Sequence, residues 1–381
     1  MPSIDALADQ ARARIRSLEP ALVALSHRVH ANPELKFEEF KSSAWVAGLL
    51  SDHGVDVETG VCDLPTAFIA RAGSGPLHLS IRAEYDALPA VGHACGHNII
   101  AAAAVGAGLA LAPIADELGI TLSVFGTPAE EGGGGKIFMI ERGAFDGVHA
   151  SLMVHPAPID GLRPRVSAVS HFRVRYTGKE SHAAAAPHLG VNAADAFVVA
   201  QSAIGLLRQH LRATDQVHGI VLHGGDAANI VPAHTEGDWM VRASTIADLD
   251  EVRPRVEACF HAGALATGSH VEIEDDCPVY SHMEHDDDLV AVYRDATTGL
   301  GRRYGGDEMT FSTDMGNVSL AIPSIHPTIG IDSAGAVNHQ PEFAAACINA
   351  SADRAVFEGA LGLALTAVGA ARGPLRERLL R

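Results

Sequence analysis

Paired cysteine spacing is missing from this chain of 381 residues. Its five cysteines, at 62, 95, 259, 277 and 347, stand at irregular intervals, and the odd count argues against a disulfide framework. Basic charge is also short. Only 28 Lys and Arg face 46 Asp and Glu, which excludes a nucleic-acid or anionic-membrane partner from the expectations and leaves solubility as the plain reason for the acidity. No strongly apolar run reaches the ~20 residues that a membrane span needs. The longest uncharged stretch, Ile99 to Ala115, is rich in Ala and Gly and reads as a buried helix. The N-terminal segment MPSIDALADQARARIRSL scatters charges where a signal peptide carries an apolar core, so a cytoplasmic location is expected. Catalytic signatures are missing too. Without a G-x-S-x-G elbow a serine hydrolase is disfavoured. The run Gly132 to Gly135 before Lys136 fails as a phosphate loop, because that loop needs glycine where Glu130 stands. Aromatic residues are few, whereas Ala and Gly are plentiful, which predicts closely packed helices.

The length suits two domains. Helical patterns run over 3–29 and 40–53, and strand patterns over 67–71, 77–82, 120–125 and 150–154, with helices opening near 97 and over 136–141. Such alternation predicts an α/β domain, a largely parallel sheet flanked by helices. The pattern changes near Val166. The order β-α-β-β-α-β over 166–280 predicts an inserted ferredoxin-like α+β domain. Helices over 289–300 and 342–371 then complete the first domain, which comprises 1–165 and 281–381.

Four clusters carry the chemistry. GHACGHN sets Cys95 and His97 one residue apart, Glu130 and Glu131 are adjacent, His155 closes an apolar strand, and His339 lies in VNHQPEF. Thiolate, imidazole and carboxylate are the ligands of first-row divalent metals. A carboxylate beyond the metal's needs suits a hydrolase as general base. Three of the clusters follow the C-terminal ends of predicted strands, where open α/β sheets bind ligands. Each residue alone has a plainer reading. A lone Cys is a small buried hydrophobe, adjacent acids are solvated, and a strand-end His is a satisfied core residue. His339 has the weakest local signal, and His182 by itself reads as a surface histidine. His282 and His285, in HMEH, match no metal motif and read as an interdomain joint.

EYDALP, GHACGHN, GTPAEEGGGGK, GKESHAAAAP, NIVP and STDMGNVS together resemble the aminoacylase/carboxypeptidase-G family of dinuclear metallohydrolases. The likeness is strongest to its amidohydrolase branch of hippurate, indole-acetyl-amino-acid and aminobenzoyl-glutamate hydrolases, and it spans about His27 to Phe343. The resemblance implies Cys95, His97, Glu131, His155 and His339 as metal ligands, with Asp86 beside them. It implies Glu130 as the catalytic glutamate and His182 as a histidine that polarises the scissile carbonyl, often across a dimer. Asn229 and Arg242 fall where that family contacts substrate. Two positions depart from the wider pattern: Asn98 stands where several branches carry Asp, and Glu84 where the wider family has a ligand His.

The resulting expectation is a metal-dependent hydrolase of N-acyl or N-aroyl amino acids with one or two zinc or manganese ions per subunit. The first domain is expected to hold the metal, and the inserted one to act as lid and dimerisation domain of a homodimer. One alternative is a dipeptidase for dipeptides with a basic C-terminal residue. Another is a silent homologue that binds small molecules or metal.

Overall fold

Burial on both faces marks the strands Leu77–Ala83 and Ile120–Gly126, whose sequences LHLSIRA and ITLSVFG are mostly apolar. They pair in parallel at the centre of a six-stranded sheet in a computed structural model that describes residues 3–381. Beyond Leu77–Ala83 come the parallel strands Ala150–Leu152 and Ser324–Ile325. Beyond Ile120–Gly126 lie Phe68–Ala72 and the edge strand Asp56–Thr59, both antiparallel. The edge strand has no sequence signal, since DVET is polar and largely exposed.

This sheet belongs to the first of two compact units, residues 1–165 with 283–381. The helix His97–Leu111 is wholly buried against it. The stretch His97–Leu118 is apolar and long enough to cross a membrane, yet 89% of its window lies inside the unit. A Cβ on Gly106 would stand 2.7 Å from Leu22 and 2.8 Å from Ala360, so small residues let the helices Ile4–His30, His97–Leu111 and Ala350–Ala370 meet.

Two expected elements differ. The strand from Ala150 stops at Leu152, and His155–Ala157 forms a separate strand paired with Thr328–Gly330. The expected helix over 342–371 is two helices, Pro341–Ala346 and Ala350–Ala370. Asn349 starts the second by accepting hydrogen bonds from the backbone of Ser351 and Ala352, a side-chain cap.

The second unit spans 166–282. Its strands run in the order His270–Asp275, Ala168–Thr177, His234–Ala243, Gln216–His223, all antiparallel. In chain order this is 4-1-3-2, the ferredoxin-like arrangement, with Ala193–Leu207 and Ile246–Thr267 supplying the helices. Phe172, Trp239 and Phe260 fill the core between sheet and helices. The edge strand Gln216–His223 leaves Ile220, Val221 and Leu222 exposed. The unit ends two residues beyond the expected 280, where His282 Nδ1 accepts the Ile246 N–H at 3.2 Å. His285 Nε2 meets the Pro164 carbonyl at 3.1 Å.

Candidate metal centre

The loop that leaves Leu77–Ala83 carries Glu84, Asp86 and Cys95 before it turns into the helix at His97. Gly96 makes that turn with φ +79°, and a Cβ there would fall 2.4 Å from Pro156. Glycine is therefore what lets the Cys95–His97 segment lie against the His155–Ala157 strand. The loop after Ile120–Gly126 supplies Glu130 and Glu131. His339 arrives on a later loop in a left-handed conformation, φ +72°, fixed by its N–H to the Ala94 carbonyl at 2.9 Å.

Asp86 organises the centre. One oxygen meets His97 Nδ1 at 2.9 Å and the other accepts the Glu131 N–H at 2.8 Å. That fixes the His97 ring and leaves Nε2 facing inward, fully buried and without a hydrogen-bond partner. From Nε2 it is 3.5 Å to Glu84 Oε2, 3.7 Å to Glu130 Oε2 and 4.0 Å to Glu131 Oε1. His155 is set the same way: Nδ1 lies 2.8 Å from the Pro156 carbonyl, leaving Nε2 3.5 Å from Cys95 Sγ. His339 Nε2 stands 3.6 Å from Glu131 Oε1.

Three trios emerge whose donor atoms lie within 4.8 Å of one another: Cys95, His97 and His155; Cys95, Glu131 and His339; Glu84, His97 and Glu130. The first two share the Cys95 sulfur. Buried polar atoms without partners are costly, about 1–3 kcal/mol each. Here His97 Nε2, Glu131 Oε1 and Glu84 Oε2 lack a hydrogen-bond partner around one place. A thiol, imidazoles and carboxylates gathered so fit divalent cations.

The electrostatics agree with that fit. Burial and the Glu131 charge push the Cys95 thiol well up, so a thiolate here calls for a cation beside it. Burial, with the His97 charge, drives His155 down to about 3, which keeps its imidazole neutral as a ligand must be. Burial opposes charge on His97, but Asp86 overrides it and holds that ring well above its usual range. Glu130 is raised well above a normal carboxylate by burial and by Glu84 and Glu131.

The remaining candidates lie in the second unit. His182 is exposed, and its Nδ1 accepts the N–H groups of Ala184 and Ala185 at 3.2 and 3.1 Å. Its proton therefore sits on Nε2, a free donor. The Asn229 carbonyl accepts the Ala183 N–H at 3.0 Å, so Asn229 lies beside His182. Arg242 does not join them. His182 bridges Ile230 just past the His234 end of the strand His234–Ala243, and Arg242 sits near the other end. Eight residues of strand separate His234 from Arg242, roughly 26 Å.

Sequence reasoning assigns no role to several residues of the centre. Lys136 Nζ lies 2.5 Å from Glu84 and 2.6 Å from Asp314, all three fully buried. Lys136 and Asp314 belong to two of the family-like motifs, GTPAEEGGGGK and STDMGNVS. Glu39 accepts the Ala129 N–H at 2.8 Å, and nothing in FEEF marks it for this. His326 stacks on His155 with ring centres 5.4 Å apart. Asn98 donates to Ser26 Oγ at 2.8 Å and to the Cys347 carbonyl at 3.0 Å, tying helices together.

The sequence profile of peptidase family M20/M25/M40 matches residues 80–355. The chain is 37% identical to the Xaa-Arg dipeptidase of Mus musculus, over 96% of this chain and 89% of that protein. It is 31% identical to a p-aminobenzoyl-glutamate hydrolase chain of Escherichia coli K12, over 76% of this chain and 64% of that one. Among solved structures, a dinuclear metal-binding M20 peptidase from Bacillus subtilis superposes with a TM-score of 0.71 at 21% identity, covering 93% of this chain and 98% of the other.

Proposed function

Because the chain belongs to peptidase family M20/M25/M40, we propose that the Cys95 cluster is the active centre of its amide hydrolysis. The protein is a metal-dependent amidohydrolase that splits the amide bond of N-acyl amino acids or related dipeptides and frees the amino acid. The observation that carries the site reading is the pair of donor trios that share Cys95. In this reading Cys95, His97 and His155 hold one divalent ion, and Cys95, Glu131 and His339 a second. Bound there, the ions supply Lewis-acid polarisation of the amide and acidify water. Zinc suits the thiolate and imidazoles, and manganese is the alternative.

Glu130 is the general base. It is nearly buried beside Glu84 and Glu131, surroundings that raise its affinity for a proton. It takes a proton from the attacking water on its carboxylate and returns it to the leaving amine. Asp86 keeps His97 and the Glu131 backbone in place. His182, with its proton on Nε2, donates to the developing oxyanion. Asn229 holds polar groups of the substrate, and Arg242 holds the free carboxylate of the amino acid released.

Dipeptides with a basic C-terminal residue form a second reading, favoured by the 37% identity to the mouse Xaa-Arg dipeptidase. An intact Glu130 gives no support to a silent homologue. We further propose a cytoplasmic homodimer. A ligand thiol needs a reducing compartment, and the exposed Gln216–His223 edge offers a strand for pairing with a second copy.

The test is release of free amine from a panel of N-acyl amino acids, aminobenzoyl-glutamate and Xaa-Arg or Xaa-Lys dipeptides. Each is assayed after chelation and after return of zinc or manganese. Full activity after exhaustive chelation would overturn the metal reading, and the preferred substrate decides between the two specificities.

A further inference from the structure

The GTPAEEGGGGK segment ends on a lysine that the hydrolytic scheme leaves unused. Lys136 is the second residue of the short helix Gly135–Glu141 and is fully buried. Its ammonium lies 2.5 Å from Glu84 Oε1 and 2.6 Å from Asp314 Oδ1. Asp314 also accepts the Lys136 backbone N–H through Oδ2 at 3.0 Å, so one carboxylate grips both ends of the residue. The partner is distant in sequence and stands at the start of the helix Met315–Ala321. STDMGNVS and GTPAEEGGGGK thus lock onto each other.

Stability alone does not account for this trio. Buried ion pairs seldom outperform apolar residues of the same shape, because desolvating the charges cancels their attraction. A lysine between two acids needs another reason to be here, and its geometry supplies one. The second oxygen of Glu84 stands 3.5 Å from His97 Nε2, and Glu130 Oε2 stands 3.7 Å from the same atom. Glu84 thus faces the reaction centre with one oxygen and is tied from behind by the other. Without the ammonium, Glu84 and Asp314 would be two buried like charges beside Glu130. They would repel one another and the Glu130 carboxylate, and the Glu130 turn would keep its backbone bond to Asp314 but lose the charge that holds Asp314 in place.

We propose that Lys136 is a positioning residue for amide hydrolysis: clamped between Glu84 and Asp314, it fixes the Glu84 carboxylate behind His97 and holds the turn that aims Glu130. The inference rests on the hydrolytic reading above. Wild-type protein in the same assay separates the two, since an inactive wild type fails the reading and an active one exposes the inference to test.

The informative variant is Lys136→Met with Glu84→Gln. It removes one positive and one negative charge together and so keeps the net charge of the pocket. Asp314→Asn is the second variant, which keeps the shape and weakens the grip on Lys136. Both are scored for thermal midpoint, metal content by elemental analysis, kcat and KM. The double variant should fold and carry wild-type metal, with kcat at least 30-fold lower and KM within threefold. Asp314→Asn should show a smaller loss, again in kcat. A folded, metal-loaded double variant with kcat within threefold of wild type overturns the proposal. So does a loss of activity that merely follows loss of metal, which would make Lys136 a guard of metal retention. Failure of both variants to fold would assign the trio to stability and overturn it equally.

Discussion

Glu130 and Glu131 are sequence neighbours with different surroundings, and the proposed division of their tasks rests on this difference. The Glu131 N–H is held by Asp86 and its carboxylate lies 3.6 Å from His339. Glu130 is grouped instead with Glu84 and His97. Glu130→Gln should keep metal content at the wild-type level and lower kcat by about 10²–10⁴-fold, the usual share of a general base. Wild-type turnover in that variant would refute the assignment. Cys95→Ala removes the one sulfur common to two trios and should instead cut metal content, readable by elemental analysis before any assay. A third change bears on stability. His78 Nε2 lies 2.8 Å from Ser123 Oγ, and burial, helped by Arg82 and His149, lowers its pKa to about 4. The folded state refuses a proton that the unfolded chain accepts below about pH 6.5. Stability is therefore full above that pH and is lost as pH falls towards 4. The loss should be about 1–2 kcal/mol, less than the whole shift, because solvent screens this partly exposed ring. His78→Gln should flatten this acid limb in thermal melts at pH 4.5 to 7.5; an unchanged slope would remove His78 from the account. At this scale the clustered donor residues were legible because strand ends and short spacings mark them. Lys136 and Asp314 were not, because an ion pair across 178 positions leaves no local pattern.

The turn over residues 127–135 shows what an element adds. Ala129 is a non-glycine residue with φ +58°, and Gly132 and Gly134 follow at φ +74° and +73°. Buried carboxylates hold this irregular backbone: Glu39 takes the Ala129 N–H, Asp86 the Glu131 N–H and Asp314 the Lys136 N–H. Each charge-assisted bond fixes a backbone position on one side of Glu130 or the other. Gly135 is needed for close approach, since a Cβ there would stand 2.0 Å from the Pro128 carbonyl oxygen. Gly135→Ala should therefore cost about 1–3 kcal/mol and lower kcat as the turn shifts. Ala129→Gly relieves a left-handed alanine, and its stability should stay within about 1 kcal/mol of wild type. Melting curves for both variants would check the contrast, and equal destabilisation would contradict it. The sequence pointed to a turn here through its glycines, but not to Glu39, whose partner lies 90 residues on. The split of the 150–157 segment was equally hidden. Leu152 to Val154 is one apolar run, and it is the pairing of His155–Ala157 with Thr328–Gly330 that divides the segment.

The whole molecule was legible as an α/β unit with a ferredoxin-like insertion because strand and helix periods change together near Val166. What the sequence could not give is distance within the insertion. His182 and Asn229 lie past one end of the strand His234–Ala243, and Arg242 lies near the other, so roughly 26 Å of strand separates them. One small amide cannot touch both groups of the same sheet. If His182 donates to the oxyanion while Arg242 holds the carboxylate, the two must come from different copies of the second unit. The exposed apolar edge Ile220 to Leu222 provides a surface for bringing a second copy in, by strand pairing. If His182 is the group that the second copy supplies, a complete site needs Glu130 from one chain and His182 from the other. Mixing inactive Glu130→Gln and His182→Ala subunits under conditions of exchange should restore activity, because a mixed dimer holds one site with both groups intact. With random exchange at equal amounts, half of the dimers are mixed and each has one working site of two, so recovery should approach a quarter of the wild-type rate. Mixed dimers shown by mass but without activity would place His182 in its own chain's site or outside the reaction.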